Sequence, residues 1–230
     1  MANLIVEGID RLGKGTLIKG LKHATGAQLH IHYEKPELLD YYVEQAENKL
    51  CDPDGFSSSV DVKKLALELY QRDSFAQMFN MLSACEMGII LDRAHLGEVV
   101  YAKRYRSYSG DYVFELESVL GAGSLVKDIL ILLTASDMSF IQDDGLSFNF
   151  NAKEEEQADF IAAFNRSNYR NKLQLDVSLR DEEGASLGRY APAEHILKAV
   201  LTAKSYGFVE RVTFTQLANG EIVTVSRIEN

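Results

Sequence analysis

Residues 3–16 read NLIVEGIDRLGKGT: an apolar run ending in an acid, then glycines at 8 and 13, then Lys14-Gly15-Thr16. The apolar run predicts a short buried strand over residues 3–7, and a helical run follows from Lys14 to about residue 24. Gly8 to Lys14 has the GxxxxGK spacing of a phosphate-binding loop, here in the strand-to-helix setting that such a loop requires. The glycines let the backbone wrap a phosphate with no Cβ in the way. The helix behind them turns its free N–H groups and positive dipole end toward the anion. The motif therefore predicts ATP binding by Gly8, Arg11, Leu12, Gly13, Lys14, Gly15 and Thr16, with Lys14 reaching the outer phosphates. Thr16 sits one place later than the usual hydroxyl and is the candidate ligand for a magnesium ion.

Outward from this loop, strands and helices alternate. Residues 28–33 (QLHIHY) alternate as a half-buried strand, residues 37–50 read as a helix, and residues 51–59 form a turn-rich loop. A long helix is expected over residues 62–84, with Leu65, Leu69, Met78 and Leu82 facing inward. Further strands are expected at 88–92, 128–133 and 172–177, and further helices at 112–120, 153–167 and 193–204. This alternation implies an α/β fold in which a five-stranded parallel sheet is flanked by helices, with ligands at the carboxyl ends of the strands. The tail is different: two apolar runs flank Asn219-Gly220, a strong hairpin signal. The expected organisation is one nucleotide-binding domain over residues 1–206, with a lid at about 138–152, and a C-terminal β-hairpin extension over 207–230.

Composition narrows the function. The 230 residues are 46% hydrophobic and 25% charged, as expected of one folded domain. A formal charge of −10 without any Lys/Arg run argues against binding a nucleic-acid polymer. The two cysteines, Cys51 and Cys85, have no metal-ligand or disulfide pattern around them, and no apolar stretch is long enough for a membrane span. A cytoplasmic protein with no membrane partner is the expectation.

Leu4-Ile5-Val6-Glu7-Gly8-Ile9-Asp10 followed by Gly13-Lys14 resembles the amino terminus of thymidylate kinases, and Gly-Lys-Gly-Thr resembles the loop of adenylate-kinase-like enzymes. Leu91-Asp92-Arg93-Ala94-His95 is similar to the Asp-Arg motif that ends that family's third strand, and Arg72 lies twenty positions before Asp92, at the spacing of the family's helix arginine. The resemblance spans roughly residues 3–204. It implies a P-loop kinase fold and transfer of a phosphoryl group from ATP, with Mg2+, to a deoxynucleoside monophosphate, dTMP first among them. It also implies a homodimer. By resemblance, Asp10 contacts the sugar and the metal shell, Arg93 clamps the acceptor phosphate, Arg72 holds base or phosphate, Tyr101 packs on the deoxyribose, and Asp92 lies near magnesium. Thymidylate kinases place a catalytic arginine in the phosphate loop or in the lid. The lid window here contains no Arg or Lys, whereas the loop carries Arg11, so Arg11 is the implied catalytic arginine.

The sequence departs from the family at three places. Lys35 replaces the arginine after the second strand, Glu68 stands where an aromatic stacks on the base, with Tyr70 the nearest alternative, and His95-Leu96-Gly97-Glu98 is similar to phage-encoded members. A broad-specificity deoxynucleoside monophosphate kinase, a deoxynucleoside kinase using Glu34 as base, and a non-catalytic nucleotide-binding protein are the alternatives. Among other signals, Glu154-Glu155-Glu156 reads as a solvated first helical turn. His30 and His32 share a strand face without a third metal ligand, and Lys103, Arg104 and Arg106 read equally as a phosphate-attracting or a solvated group.

Overall fold

The computed structural model describes residues 2–27, 29–32, 40–50, 59–85, 88–142, 150–203 and 209–229. In chain order its principal elements are β1 (Leu4–Glu7), α1 (Lys14–Thr25), β2 (Leu29–His32), α2 (Asp40–Leu50), α3 (Ser59–Ala84), β3 (Ile89–Asp92) and α4 (His95–Tyr101). A π-turn (Ala102–Arg106) leads on to α5 (Tyr112–Leu120), α6 (Ala122–Lys127), β4 (Ile129–Thr134), α7 (Lys153–Arg166), β5 (Asn171–Arg180), β6 (Ser186–Tyr190), α8 (Ala193–Thr202), β7 (Val209–Gln216) and β8 (Ile222–Glu229).

The apolar run that opens the chain becomes the middle of the sheet. β1 pairs in parallel with β3 on one side and β4 on the other, β2 lies outside β3, and β5 lies outside β4. Strand order is therefore 2-3-1-4-5, and all five expected strands run parallel. All four side chains of β1 and all six of β4 are buried, as strands covered on both faces must be. The sheet continues past the fifth strand. β7 pairs in parallel with β5, and β8 returns antiparallel beside β7 in unbroken register from Val209↔Glu229 to Gln216↔Ile222. The Asn219-Gly220 hairpin is thus part of the main sheet, and Val212 and Phe214 of β7 belong to the common core. β6, which the sequence pattern did not announce, lies antiparallel to the end of β5. All five of its residues are exposed, so it lacks the alternation that marks a half-buried strand.

Helix packing follows the apolar stripes. Leu17, Ile18 and Leu21 of α1 are buried, and α1 packs beside α8. In α3 the inward residues are Ala66, Phe75, Met78, Phe79 and Leu82. Leu65 and Leu69, expected to face inward, are only half-buried, because α2 covers that part of α3 with polar and aromatic side chains rather than with sheet. Among the described residues, no helix is long and apolar enough to cross a membrane.

Asn3 fixes the register of the three central strands at their amino ends. Its backbone N–H and its side-chain amide each donate to Asp128 at 2.9 Å, while its side-chain oxygen accepts the N–H of Ile89 at 3.0 Å. Asp128 also accepts from the Ser124 hydroxyl. Asn3 is fully buried, so each broken contact strands a polar group away from water. Asn3→Ala is expected to lower unfolding free energy by about 2–4 kcal/mol, as the cost of one to two orphaned buried partners. Urea denaturation followed by circular dichroism measures it; a change below about 1 kcal/mol would mean that the network does not hold the strands.

Candidate functional site

The chain leaves β1 at Gly8 with φ 132°, a conformation that only glycine adopts without strain. A Cβ at this position would stand 2.6 Å from the Leu133 carbonyl oxygen, so the loop is pressed directly onto the end of β4. Gly13, at φ 79°, turns the backbone into α1. Between them Arg11 also has a positive φ of 72°, and the Tyr190 hydroxyl donates to its carbonyl. Tyr190 in turn meets the Phe140 ring edge-on, with centroids 4.5 Å apart. The phosphate loop is thereby held from the β6 side of the sheet as well as from β4.

Lys14 points back across this loop and donates to the carbonyls of Gly8 at 2.8 Å and Ile9 at 2.6 Å. Burial, reinforced by the neighbouring Arg93 cation, pushes its ammonium down to about 8. Arg93 follows β3 directly. Its N–H bonds the Val6 carbonyl at 2.9 Å and its φ is 64°, a second arginine in the sparsely populated left-handed region. This turn swings the guanidinium over the phosphate loop, where it donates to Asp10 and lies 5.6 Å above the Tyr101 ring. Lys14 Nζ stands 3.9 Å from the same Asp10 oxygen. Burial works against the charged Asp10, but Arg93, Lys14 and Lys153 outweigh it and hold its carboxyl below the usual range.

Beneath these groups, Glu7 accepts the Leu96 N–H at the start of α4 at 3.0 Å, and its second oxygen has no protein partner. Burial pushes its carboxyl up against the pull of His95, Arg93 and Lys14. Tyr101 closes the far wall. Its hydroxyl donates to Glu156 of α7 at 3.0 Å, and burial, together with that carboxylate, pushes its phenol up.

The structure therefore brings together Gly8, Asp10, Arg11, Leu12, Gly13, Lys14, Gly15 and Thr16 with Arg93 and Tyr101 at the carboxyl ends of β1 and β3. Asp92 is at the same end, where His32 Nδ1 approaches its carboxylate at 3.1 Å. Thr16, Asp10 and Asp92 carry hard oxygen donors of the kind magnesium accepts beside phosphates, and among the described residues no group of three or more His, Cys, Asp or Glu is placed to hold a metal ion by itself. A cavity of about 460 Å3 opens beside the loop, lined by Arg11, Gly13, Thr16, Leu133, Tyr190 and Ile196 among others.

Arg72 and Tyr70 make other contacts. Arg72 pairs with Glu68 at 3.1 Å and stacks 4.3 Å over the Tyr112 ring, in an open groove of about 1040 Å3 between α3 and α5. Tyr70 packs edge-on against Tyr42 of α2. Lys35 and Glu34 lie outside the described residues, as do residues 143–149 of the expected lid. The wall between α3, α4 and α5 is organised instead by Glu98, a buried carboxylate that accepts from Gln71, Arg106, Tyr108 and Tyr112. Arg104 donates to Asp159 at 2.7 Å, so Arg104 and Arg106 are both committed to acids.

Three groups escaped sequence reasoning. Glu156 was expected to be solvated with its neighbours, yet it is 6% exposed and holds Tyr101; its spacing of four before the apolar Phe160 was the available signal. Tyr190 carried none, being one exposed aromatic in a polar stretch. Lys153, one residue beyond the lid window, is 5% exposed and lies at the first position of α7. A cation at the positive end of a helix, ahead of three glutamates, was the clue.

No family model matches the sequence, and no curated protein matches it. Among solved structures, the YorR protein of Bacillus subtilis, determined in complex with phosphorylated GDP, superposes with a TM-score of 0.52 at 16% identity, over 87% of this chain and 93% of that one. The likeness shows the fold: a P-loop kinase-like α/β sheet with C-terminal antiparallel strands.

Lys14 is expected to set a pH limit on anion binding. Its folded value near 8 lies below the free-lysine value of 10.5, so the folded protein loses this proton first. Stability from this group therefore rises with pH across that window, whereas attraction for a phosphate is present below about 8 and lost above it. ADP affinity, measured by calorimetry, is expected to weaken by up to about tenfold per pH unit above 8. Lys14→Arg is expected to remove that limb, and a flat profile in the unsubstituted protein would show that Lys14 does not meet the phosphates.

Proposed function

We propose that this chain is a nucleoside monophosphate kinase that transfers the γ-phosphoryl group of ATP to a deoxynucleoside monophosphate, with dTMP the first candidate. The observation that carries this reading is the convergence of Lys14 and Arg93 on Asp10 at the carboxyl ends of β1 and β3. It places two cations at one Asp10 oxygen beside the loop. A nucleotide-bound neighbour of the same fold is consistent with it.

In this mechanism the loop N–H groups and Lys14 hold the donor phosphates, and the cavity beside Tyr190 and Ile196 takes the donor base. Arg93 grips the acceptor phosphate in the planar, two-pronged way that lysine does not provide. An oxygen of that phosphate attacks Pγ, the bond from Pγ to the bridging oxygen breaks, and ADP leaves with the electron pair. A phosphate acceptor is already anionic and needs no general base, so the protein's task is alignment and neutralisation of charge. Thr16, Asp10 and Asp92 would hold magnesium, and the ion would offset charge on the donor phosphates. Arg11 stands on the loop itself, its backbone pinned by Tyr190, and is assigned to the moving phosphoryl group. Tyr101, held by Glu156 and covered by Arg93, walls the acceptor sugar.

A broader acceptor range is favoured by one observation: Glu68 replaces the stacking aromatic and is paired with Arg72, which removes an apolar surface that would select one base. An ADP-release assay with ATP, magnesium and separately dTMP, dCMP, dAMP, dGMP, UMP and thymidine distinguishes the two. Turnover is expected with dTMP, alone or with other deoxynucleotides. Lys14→Ala and Arg93→Ala are each expected to reduce kcat/KM by roughly 10²–10³, the scale for loss of one charge-stabilising donor. Turnover of thymidine alone would remove Arg93 from the acceptor phosphate and with it this reading.

A further inference from the structure

β8 is the last strand of the sheet, and it lacks the features that usually protect such an edge. Edge strands are kept from pairing by short length, proline, bulges or charge. β8 has eight residues in unbroken register with β7. From Ile222 to Ile228 it contains no proline or glycine and one charged residue, Arg227. Val225 is 50% exposed, and Thr224, Ser226, Arg227 and Ile228 are exposed with it.

The hairpin sets which backbone groups of this strand face outward. The Leu217 N–H bonds the Glu221 carbonyl at 2.7 Å, and Gly220, at φ 85°, donates back to the Leu217 carbonyl at 2.8 Å. Hydrogen bonding alternates along an antiparallel pair. Glu221, Val223, Val225 and Arg227 therefore direct their backbone groups at β7, while Ile222, Thr224 and Ser226 direct theirs away from the sheet. Two copies of this edge can pair only in registers where outward groups meet. One such register, with Thr224 on a two-fold axis, sets Val223 against Val225 of the partner subunit and Glu221 against Arg227 of the partner subunit. These are the non-hydrogen-bonded pairs, whose side chains approach most closely, and symmetry repeats both contacts at the other end. Moving the axis to Val225 or Ser226 opposes Arg227 to a valine, and moving it to Arg227 opposes the two arginines. Charge therefore singles out the axis at Thr224. Within its own chain Arg227 stands opposite Arg211, a like-charge pair that an acid on its other side would offset.

We propose that β8 is a self-association edge: two copies of this chain pair through antiparallel β8 strands about Thr224, joining their sheets into one. Ile222, Thr224 and Ser226 exchange backbone hydrogen bonds across the axis, Val223 and Val225 cover each other, and the Glu221–Arg227 contacts fix the register. The two-fold arrangement uses up both edges, so growth stops at the dimer. The surface lies beyond residues 3–204, over which the sequence resembles a kinase family, and it stands independently of the kinase reading.

Sedimentation velocity of the full chain over roughly 1–100 μM, where a small interface associates, is expected to show a monomer–dimer equilibrium. Thr224→Pro removes an outward N–H that β7 does not use, so circular dichroism should match that of the unsubstituted protein while the dimer is lost. Glu221→Arg and Arg227→Glu each set like charges opposite one another at both ends, and each is expected to weaken the dimer at least about tenfold. Mixing these two variants restores opposite charges in the heterodimer alone, which should form as tightly as the unsubstituted dimer. A monomer throughout the concentration range, or association that continues past the dimer, overturns the proposal. So does a dimer that Thr224→Pro leaves intact, or a mixture of the charge variants that associates no more tightly than either alone.

Discussion

The contact between Arg93 and Asp10 is the constraint on which the site's geometry depends. It joins the residue that follows β3 to the loop that follows β1, and it closes only because Arg93 accepts a left-handed backbone conformation while its N–H stays bonded to Val6. The backbone strain is offset by an ion pair, a cation–π contact with Tyr101 and a ladder hydrogen bond continued one residue past the strand. Strain of this kind persists where the surroundings over-determine it. Here those surroundings are three parallel strands pinned at their far end by Asn3 and Asp128.

Two buried carboxylates carry that rigidity outward. Glu98 collects donors from α3, the π-turn and α5, and Glu117 joins α5 to the residues that follow α7 through Ser167 and Asn168 and to α4 through His95, whose Nε2 lies 3.3 Å from it. Burial disfavours the charged Glu117, yet His95 and the surrounding donors hold its carboxyl below the usual range. Such clusters contribute little net stability compared with an apolar core, but a mispacked helix would leave a charge unpaired, so they specify one arrangement. That arrangement keeps α4, and hence Tyr101, against α7.

What the sequence made legible is what depends on local pattern. The glycine loop and the five parallel strands follow from short-range periodicity and glycine placement, the Asp-Arg pair at the end of β3 came from the family resemblance, and each stands where expected in the fold. The hairpin was legible as a hairpin, but its union with β5 was not, because strand pairing across an intervening helix leaves no local mark. The resemblance gave Arg72 a ligand role; in the fold it pairs with Glu68 and stacks on Tyr112, while Gln71 turns to Glu98. Lys153 and Glu156 were hidden among like-looking charged residues. The burial of Glu156 is set by Tyr101, 55 residues earlier in the chain, and no composition window reaches that far.

The π-turn of Ala102–Arg106 gives the segment a particular evolutionary arithmetic. A π-turn holds one residue more than an α-turn of the same span, and each residue of α-helix advances the chain by roughly 100° about the axis. Losing one residue here would straighten the segment into an α-helix, and Arg106 would rotate off Glu98 while Tyr101, upstream, kept its place. Length changes in this stretch would therefore be filtered far more severely than substitutions. A lineage could alter the exposed Lys103 more readily, yet the spacing from Tyr101 to Arg106 would stay fixed as a ruler between the ring beneath Arg93 and the carboxylate hub behind it.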